Sequence, residues 1–397
     1  MRKPVYLDYA ATTPVAPEVA AAMSECLTLE GYFANPASRS HIYGWQAEEK
    51  VEEARIQVAN LIDADPREII WTSGATEANN LALKGAAEIY RRQHATGGHI
   101  LVSAIEHKAV LDVVVWLEES QGFSITHVQP NVEGIVDPEK IRAQLRSDTF
   151  LVSVMHVNNE LGSINDIAAI GKITREHKIL LHCDAAQSAG KIAVDVKNLG
   201  VDLLSLSAHK FYGPKGVGAL YVRRAGDVKI AAQIHGGGHE RNMRSGTLAT
   251  HQCVGMGLAA ELACQFLDIE SQRIIELRNK LWNGISDLPF IRRNSSTTNC
   301  VSGILNVAFA ENETQGCDGE TLLLSLRNLA LSSGSACNSA SMSPSYVLKA
   351  IGLSDAQAQA SLRLSLGRYT QVDEIEFAIN EIRTTVPQLQ KTALQQA

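Results

Sequence analysis

From about residue 68 onward, short apolar runs alternate with longer stretches whose apolar residues recur at helical spacing. The runs Glu68–Thr72, His99–Ala104, Phe123–Val128, Thr149–His156, Ile179–Cys183, Asp202–Ser205 and Gly218–Val222 predict strands. Helix-like segments open near Thr76, His107, Asp137 and Asp166, between several of these runs. Strands alternating with helices build right-handed βαβ units, so the expected fold is α/β with a mainly parallel seven-stranded sheet covered on both faces. Thr149–His156 is apolar toward both faces, as a central strand has to be.

After about residue 250 the pattern changes. Two long helical stretches, His251–Phe266 and Glu270–Ile285, lead to strands near Ile304–Ala308 and Leu362–Leu366 and a helix from about Val372. This predicts a large domain over residues 16–260 and a smaller α+β domain made of 1–15 and 261–397. The segment before residue 16 is expected to pack on the second domain or to line the cleft.

The chain has 397 residues, 45% hydrophobic and 20% charged. A chain of this size buries enough surface to hold a core without disulfides or metal. No apolar run approaches the ~20 residues that a membrane span needs. The net charge of −7, with no basic stripe, argues against direct nucleic-acid binding. Seven cysteines are an odd number, and no two are spaced C-x-x-C. That favours a reducing compartment over a disulfide framework. The N-terminus turns acidic at Asp8 before any apolar stretch develops, unlike a secretory or transit leader. A cytoplasmic location is expected.

Three segments carry candidate chemistry. In Trp71–Asn80 (WTSGATEANN) an apolar strand gives way to Gly74 and a helix start. The first helical N–H groups lack internal partners, and Thr76 adds a hydroxyl, which together suit a phosphate. Taken alone, the segment reads more readily as a threonine-capped helix without a ligand. In Leu181–Ser188 (LHCDAAQS), Asp184 closes an apolar strand at the end where ligands bind in open α/β sheets. His182 and Cys183 are strand neighbours that point to opposite faces, so they cannot converge on one metal ion. In Ser205–Gly216 (SLSAHKFYGPKG), Lys210 follows another strand. A lysine in a cleft can form a Schiff base, whereas one in a Gly/Pro turn is ordinarily a solvated surface charge. An anion cradle, a strand-end acid and a lysine are together what pyridoxal 5′-phosphate (PLP) requires of a protein.

These motifs, with HGGGHERNMRSGT at residues 235–247 and SSGSAC at 332–337, resemble the class V, fold-type I PLP-dependent transferases. Within them the match is to cysteine desulfurases of the NifS/IscS group. It runs from Tyr6–Pro14 through Asn35–His41 to Ser361–Arg368, nearly the whole chain. The resemblance implies that Lys210 bonds the cofactor as a Schiff base, Asp184 pairs with its ring nitrogen and Gln187 reaches its ring hydroxyl. It implies that His107 stacks on the ring and serves in proton transfer. Ala75, Thr76, Ser207 and His209 would hold the phosphate, and Thr247 would reach the phosphate of the other subunit in a homodimer. Asn159, also at the cofactor, and Arg363 would bind the substrate carboxylate.

Cys337 lies among small polar residues, in a stretch of about 330–343 expected to be a mobile loop. On the residues alone it is either a reactive thiol or a bystander. By resemblance it is the catalytic thiol, taking sulfur from L-cysteine as a persulfide, with L-alanine as the other product. An iron–sulfur scaffold or another sulfur-acceptor protein would receive the sulfur. No intrinsic metal site is implied, though Cys337 could share a 2Fe–2S cluster bound to a scaffold. Two features depart from the family. The chain ends soon after the last helical stretch, which puts the usual scaffold docking in doubt, and Ala310–Cys317 looks like a longer surface turn. Competing readings are a selenocysteine lyase, a small-molecule aminotransferase, or an assembly protein without activity.

Overall fold

The structure is a computed structural model that describes residues 3–226, 228–310, 317, 319–333 and 343–396. Its strands are β1 (Val5–Tyr6), β2 (Ile69–Thr72), β3 (His99–Ser103), β4 (Ser124–Val128), β5 (Thr149–Ser153), β6 (Leu180–Asp184), β7 (Leu203–Ser207), β8 (Gly218–Val222), β9 (Arg292–Arg293), β10 (Ile304–Ala308), β11 (Leu329–Ala330), β12 (Ser332–Ser333) and β13 (Ser361–Ser365).

Seven of them form one sheet in the order β2-β8-β7-β6-β5-β3-β4. Only β8 runs antiparallel to its neighbours. The pleat explains why the core strands are apolar throughout. Ile100 and Val102 of β3 enter the cluster on one face, and Leu101 enters the cluster on the other. Leu151 and Val152 of β5, and Leu203 and Leu204 of β7, divide in the same way. Helices Ala75–Gln93 and Lys108–Gln121 cover the first face, and Ile42–Leu61 with part of Thr250–Ile285 covers the second.

A second, antiparallel sheet has the order β12-β13-β10-β9. Its core joins Leu305, Val307, Leu362 and Leu364 to Ile375 and Ile382 of the last helix, Val372–Gln396.

One expectation is corrected. The stretches His251–Phe266 and Glu270–Ile285 are not two helices but parts of a single one, Thr250–Ile285, of 36 residues. No Gly or Pro interrupts residues 258–283, so nothing breaks the hydrogen-bond ladder. Met256 and Ala260 of this helix serve the large-sheet core, while Leu277 and Leu281 serve the small-sheet core. β1 pairs with β11, and Ala10 and Ala11 then line the cleft at the large sheet. Among the described residues no helix is long and apolar enough to cross a membrane.

Candidate active site

The chain reverses its order in the large sheet between β3 and β5, which opens a crevice at the carboxyl ends of the strands. A cavity of about 460 Å³ lies there, within the range of small-molecule sites. Four strand ends supply it. His107 follows β3, Asn159 follows β5, Asp184 ends β6, and Ser207 ends β7 with His209 and Lys210 just after it.

The anion cradle is the turn from β2 into helix Ala75–Gln93. Gly74, with φ +152°, precedes the helix and gives its first N–H groups no side-chain cap. Ala75, Thr76 and Ser207 face the cavity beside it. Gly218 of the neighbouring strand passes so close that a Cβ there would lie 2.6 Å from the Gly74 Cα. Gly218 is therefore needed for this approach, and Gly74 for its positive φ. Glu77, one turn in, accepts from the Ser73 N–H at 2.8 Å and pairs with Arg244 at 2.8 Å. Burial raises this carboxyl, yet those bonds leave it below the ordinary glutamate range. His209 bonds to the Thr12 hydroxyl through Nδ1 at 3.1 Å. Desolvation first, and then Lys210, Lys215 and Lys191, push it down to about 4. It is neutral at pH 7, able to donate to an anion in the cavity but not to act as its counter-charge.

Asp184 is buried, accepting from Asn79 Nδ2 at 2.7 Å and from the Ala186 N–H at 2.9 Å. Lys210 Nζ donates to the Ala10 and Ala11 carbonyls, both at 2.8 Å. Gln187 Nε2 donates to the same Ala10 oxygen at 2.8 Å. His107 caps helix Lys108–Gln121, its Nδ1 accepting from the Ala109 N–H at 3.1 Å. In the neutral ring that leaves the proton on Nε2.

Arg363 sits in β13 and is 2% exposed. Its guanidinium donates to Asp8 Oδ1 and to the Asn159 carbonyl, each at 2.8 Å, while its buried Nε has no partner among the described residues. The Asn159 side-chain oxygen is likewise buried without a partner. Unpartnered buried polar atoms are costly and mark where a ligand completes the network. Among the described residues lining the cavity, Arg363 is also the one contributed by the second sheet, so the cavity is walled by both sheets.

Of the residues singled out in the sequence, Ala75, Thr76, His107, Asn159 and Asp184 line this one cavity. So do Gln187, Ser207, His209, Lys210 and Arg363. Thr247 is exposed and does not line it. Cys337 lies outside the described residues. Asn79, Glu160, Lys191 and the two N-terminal carbonyls were not foreseen. Asn79 alone carried a signal, three residues after Thr76 on one helix face. Glu160 accepts from the Ser345 hydroxyl at 2.6 Å, and desolvation lifts it to about 7 against the pull of that bond, Arg363 and His107. His182 turned away from the cavity, bonded to the Ser153 and Ser205 hydroxyls.

Residues 5–377 match the model of the Aminotransferase class-V family. A cysteine desulfurase IscS from Acinetobacter baumannii (strain AYE) is 57% identical over 392 residues, 98% of this chain and 95% of that one. The chain belongs to the cysteine desulfurases of the class-V aminotransferase family. Among solved structures, a NifS-like protein superposes with a TM-score of 0.86 at 34% identity, covering 96% of this chain and 98% of that one. A structure described as SspA in complex with cysteine gives 0.80 at 40% identity, covering 92% and 99%. As a cysteine desulfurase the chain works with PLP, the cofactor of its family. The residues present fit that group, with an uncapped helix start for the phosphate, a buried carboxylate for the ring nitrogen and a primary amine between them.

Proposed function

We propose that this chain takes sulfur from L-cysteine, holds it as a persulfide on Cys337 and releases L-alanine. The observation that carries the reading is that Asp184 of β6, Arg363 of β13 and Lys210 of the turn after β7 face one cavity. Lys210 would hold PLP covalently, Asp184 its ring nitrogen and Gln187 its ring hydroxyl. Ala75, Thr76, Ser207 and His209 would hold its phosphate. When bound, the cofactor supplies an electron sink for the bonds of the substrate carbon atoms.

The protein's own groups do the rest. Arg363 takes the cysteine carboxylate through its planar fork in place of Asp8, and Asn159 adds its amide. Lys210 and His107 hold and move protons at the substrate carbons. The Cys337 thiolate attacks the substrate sulfur. A sulfur–sulfur bond forms as the carbon–sulfur bond breaks, the electron pair passes to the carbon, and a proton completes alanine.

The wider assembly is part of the same proposal. Residues 16–260 form the large body, and 1–15 with 261–397 form the small one, supported by the separate apolar clusters under the two sheets. The chain works as a homodimer, with Thr247 reaching the partner's phosphate. Its support is Thr247's exposure away from its own cavity, together with the exposed apolar group Phe33, Ile42, Tyr43 and Trp45. The sulfur goes to a cytoplasmic acceptor protein that serves iron–sulfur cluster assembly.

The test compares Cys337→Ala with the parent, measuring alanine formed per cysteine and persulfide retained on the protein. Both should fall to background. Unchanged turnover would remove Cys337 from the reaction. Lys210→Ala should lose the visible absorption of bound cofactor.

A further inference from the structure

Behind the cavity a second lysine approaches the cofactor side of the site without lining it. Lys191 Nζ donates to Gln187 Oε1, the amide oxygen of the residue whose Nε2 donates to Ala10 O. That carbonyl also receives Lys210 Nζ. The order Lys191, Gln187, Ala10, Lys210 is thus a continuous hydrogen-bonded chain between two lysines. An ammonium only donates. Gln187 must therefore turn its oxygen toward Lys191 and its N–H groups toward Ala10 and the cavity, whichever way the amide would otherwise lie.

We propose that Lys191 is a positioning residue for the cofactor, fixing the Gln187 amide as a donor to the cavity. The inference rests on the PLP reading of the site and deepens it.

Lys191 has no carboxylate within ion-pair distance among the described residues. A small space of about 30 Å³, room for roughly one water, lies on its far side. The titratable groups facing it are Lys210 and His209 after β7, Arg363 of β13, Glu270 of the long helix, and Tyr9 and Tyr212. Glu270 is engaged with Arg368. Desolvation, then Lys210 and Arg363, bring Lys191 down to about 7.

The experiment uses Lys191→Met and Lys191→Arg in the full chain. Apoprotein is titrated with PLP, and the visible band of the loaded protein is followed from pH 6 to 10. Lys191→Met should bind PLP roughly five- to tenfold more weakly, the effect of one hydrogen bond, and its spectral midpoint should move to higher pH. Lys191→Arg should return the midpoint toward the parent's. A Lys191→Met protein with the parent's affinity and midpoint overturns the proposal. So does a Lys191→Arg protein that folds but keeps the shifted midpoint. A parent protein with no visible band at all would instead strike at the PLP reading itself.

Discussion

Asn79 Nδ2 lies 2.7 Å from Asp184 Oδ2, joining the helix that starts the anion cradle to the strand end that supplies the acid. Both side chains are buried. The bond keeps one carboxylate oxygen in place.

Asn79→Asp should therefore be worse than Asn79→Ala. Two carboxylates at that spacing cannot both ionise, so the pair shares a proton where Asn79 supplied a donor. We expect cofactor retained after dialysis, read by absorbance, to fall about tenfold or more for Asn79→Asp. For Asn79→Ala the fall should be only severalfold. Equal retention in the two variants would dismiss the electrostatic part of this account.

Gly218→Ala should disturb the cradle from outside the cavity. The new Cβ would meet Leu206 O at 2.4 Å and Gly74 Cα at 2.6 Å, both backbone atoms that cannot step aside. Overpacking of this kind costs about 1–3 kcal/mol. Denaturant unfolding should show that loss, and PLP affinity should fall with it.

Glu240 and Arg55 form a buried two-pronged ion pair at 2.8 and 2.9 Å, and Glu240 also accepts from the Trp71 N–H at 2.8 Å. It holds three successive left-handed residues, Glu240, Arg241 and Asn242, against β2. Among the described residues, removing Glu240 leaves the buried Arg55 with only the exposed Glu52, at 3.0 Å, as its carboxylate partner, a loss of up to about 3–5 kcal/mol. Glu240→Leu alone should unfold several degrees earlier than the double variant Arg55→Met/Glu240→Leu. Calorimetry on the four members of the cycle measures the coupling.

Glu160 gives a pH signature. Its pKa rises from the ordinary 4.5 to about 7 on folding, so between those values the folded chain holds a proton that the unfolded chain has lost. Stability from this group is full below about 4.5, declines as pH rises through the window, and is flat above 7. Glu160→Gln keeps an acceptor for Ser345 and removes the titration. Relative to the parent it should gain stability progressively from pH 4.5 to 7, by roughly 1–3 kcal/mol at the end. A difference independent of pH would show that Glu160 ionises freely.

Much of the large sheet was legible because strand and helix periods are local. The run at His99–Ala104 and the observed strand His99–Ser103 differ by one residue, and Asp184 closes its strand as expected. The join between the two helical stretches after residue 250 was misread. A polar patch around Asp268 looks like a boundary in sequence, but a solvent-facing turn inside a helix has the same composition.

Residue types and strand ends, and so the kind of chemistry, follow from the sequence by itself. Local dihedral preference and the burial of apolar faces act over a few residues, and that is the range a pattern reports. Tertiary structure alone decided which distant groups meet. The Ala10 carbonyl lies 200 positions from the Lys210 amine it holds, and Asp8 lies 355 positions from Arg363. A bare carbonyl or a lone lysine such as Lys191 has no pattern of its own. Its role is set by the buried donors and acceptors that packing leaves facing it.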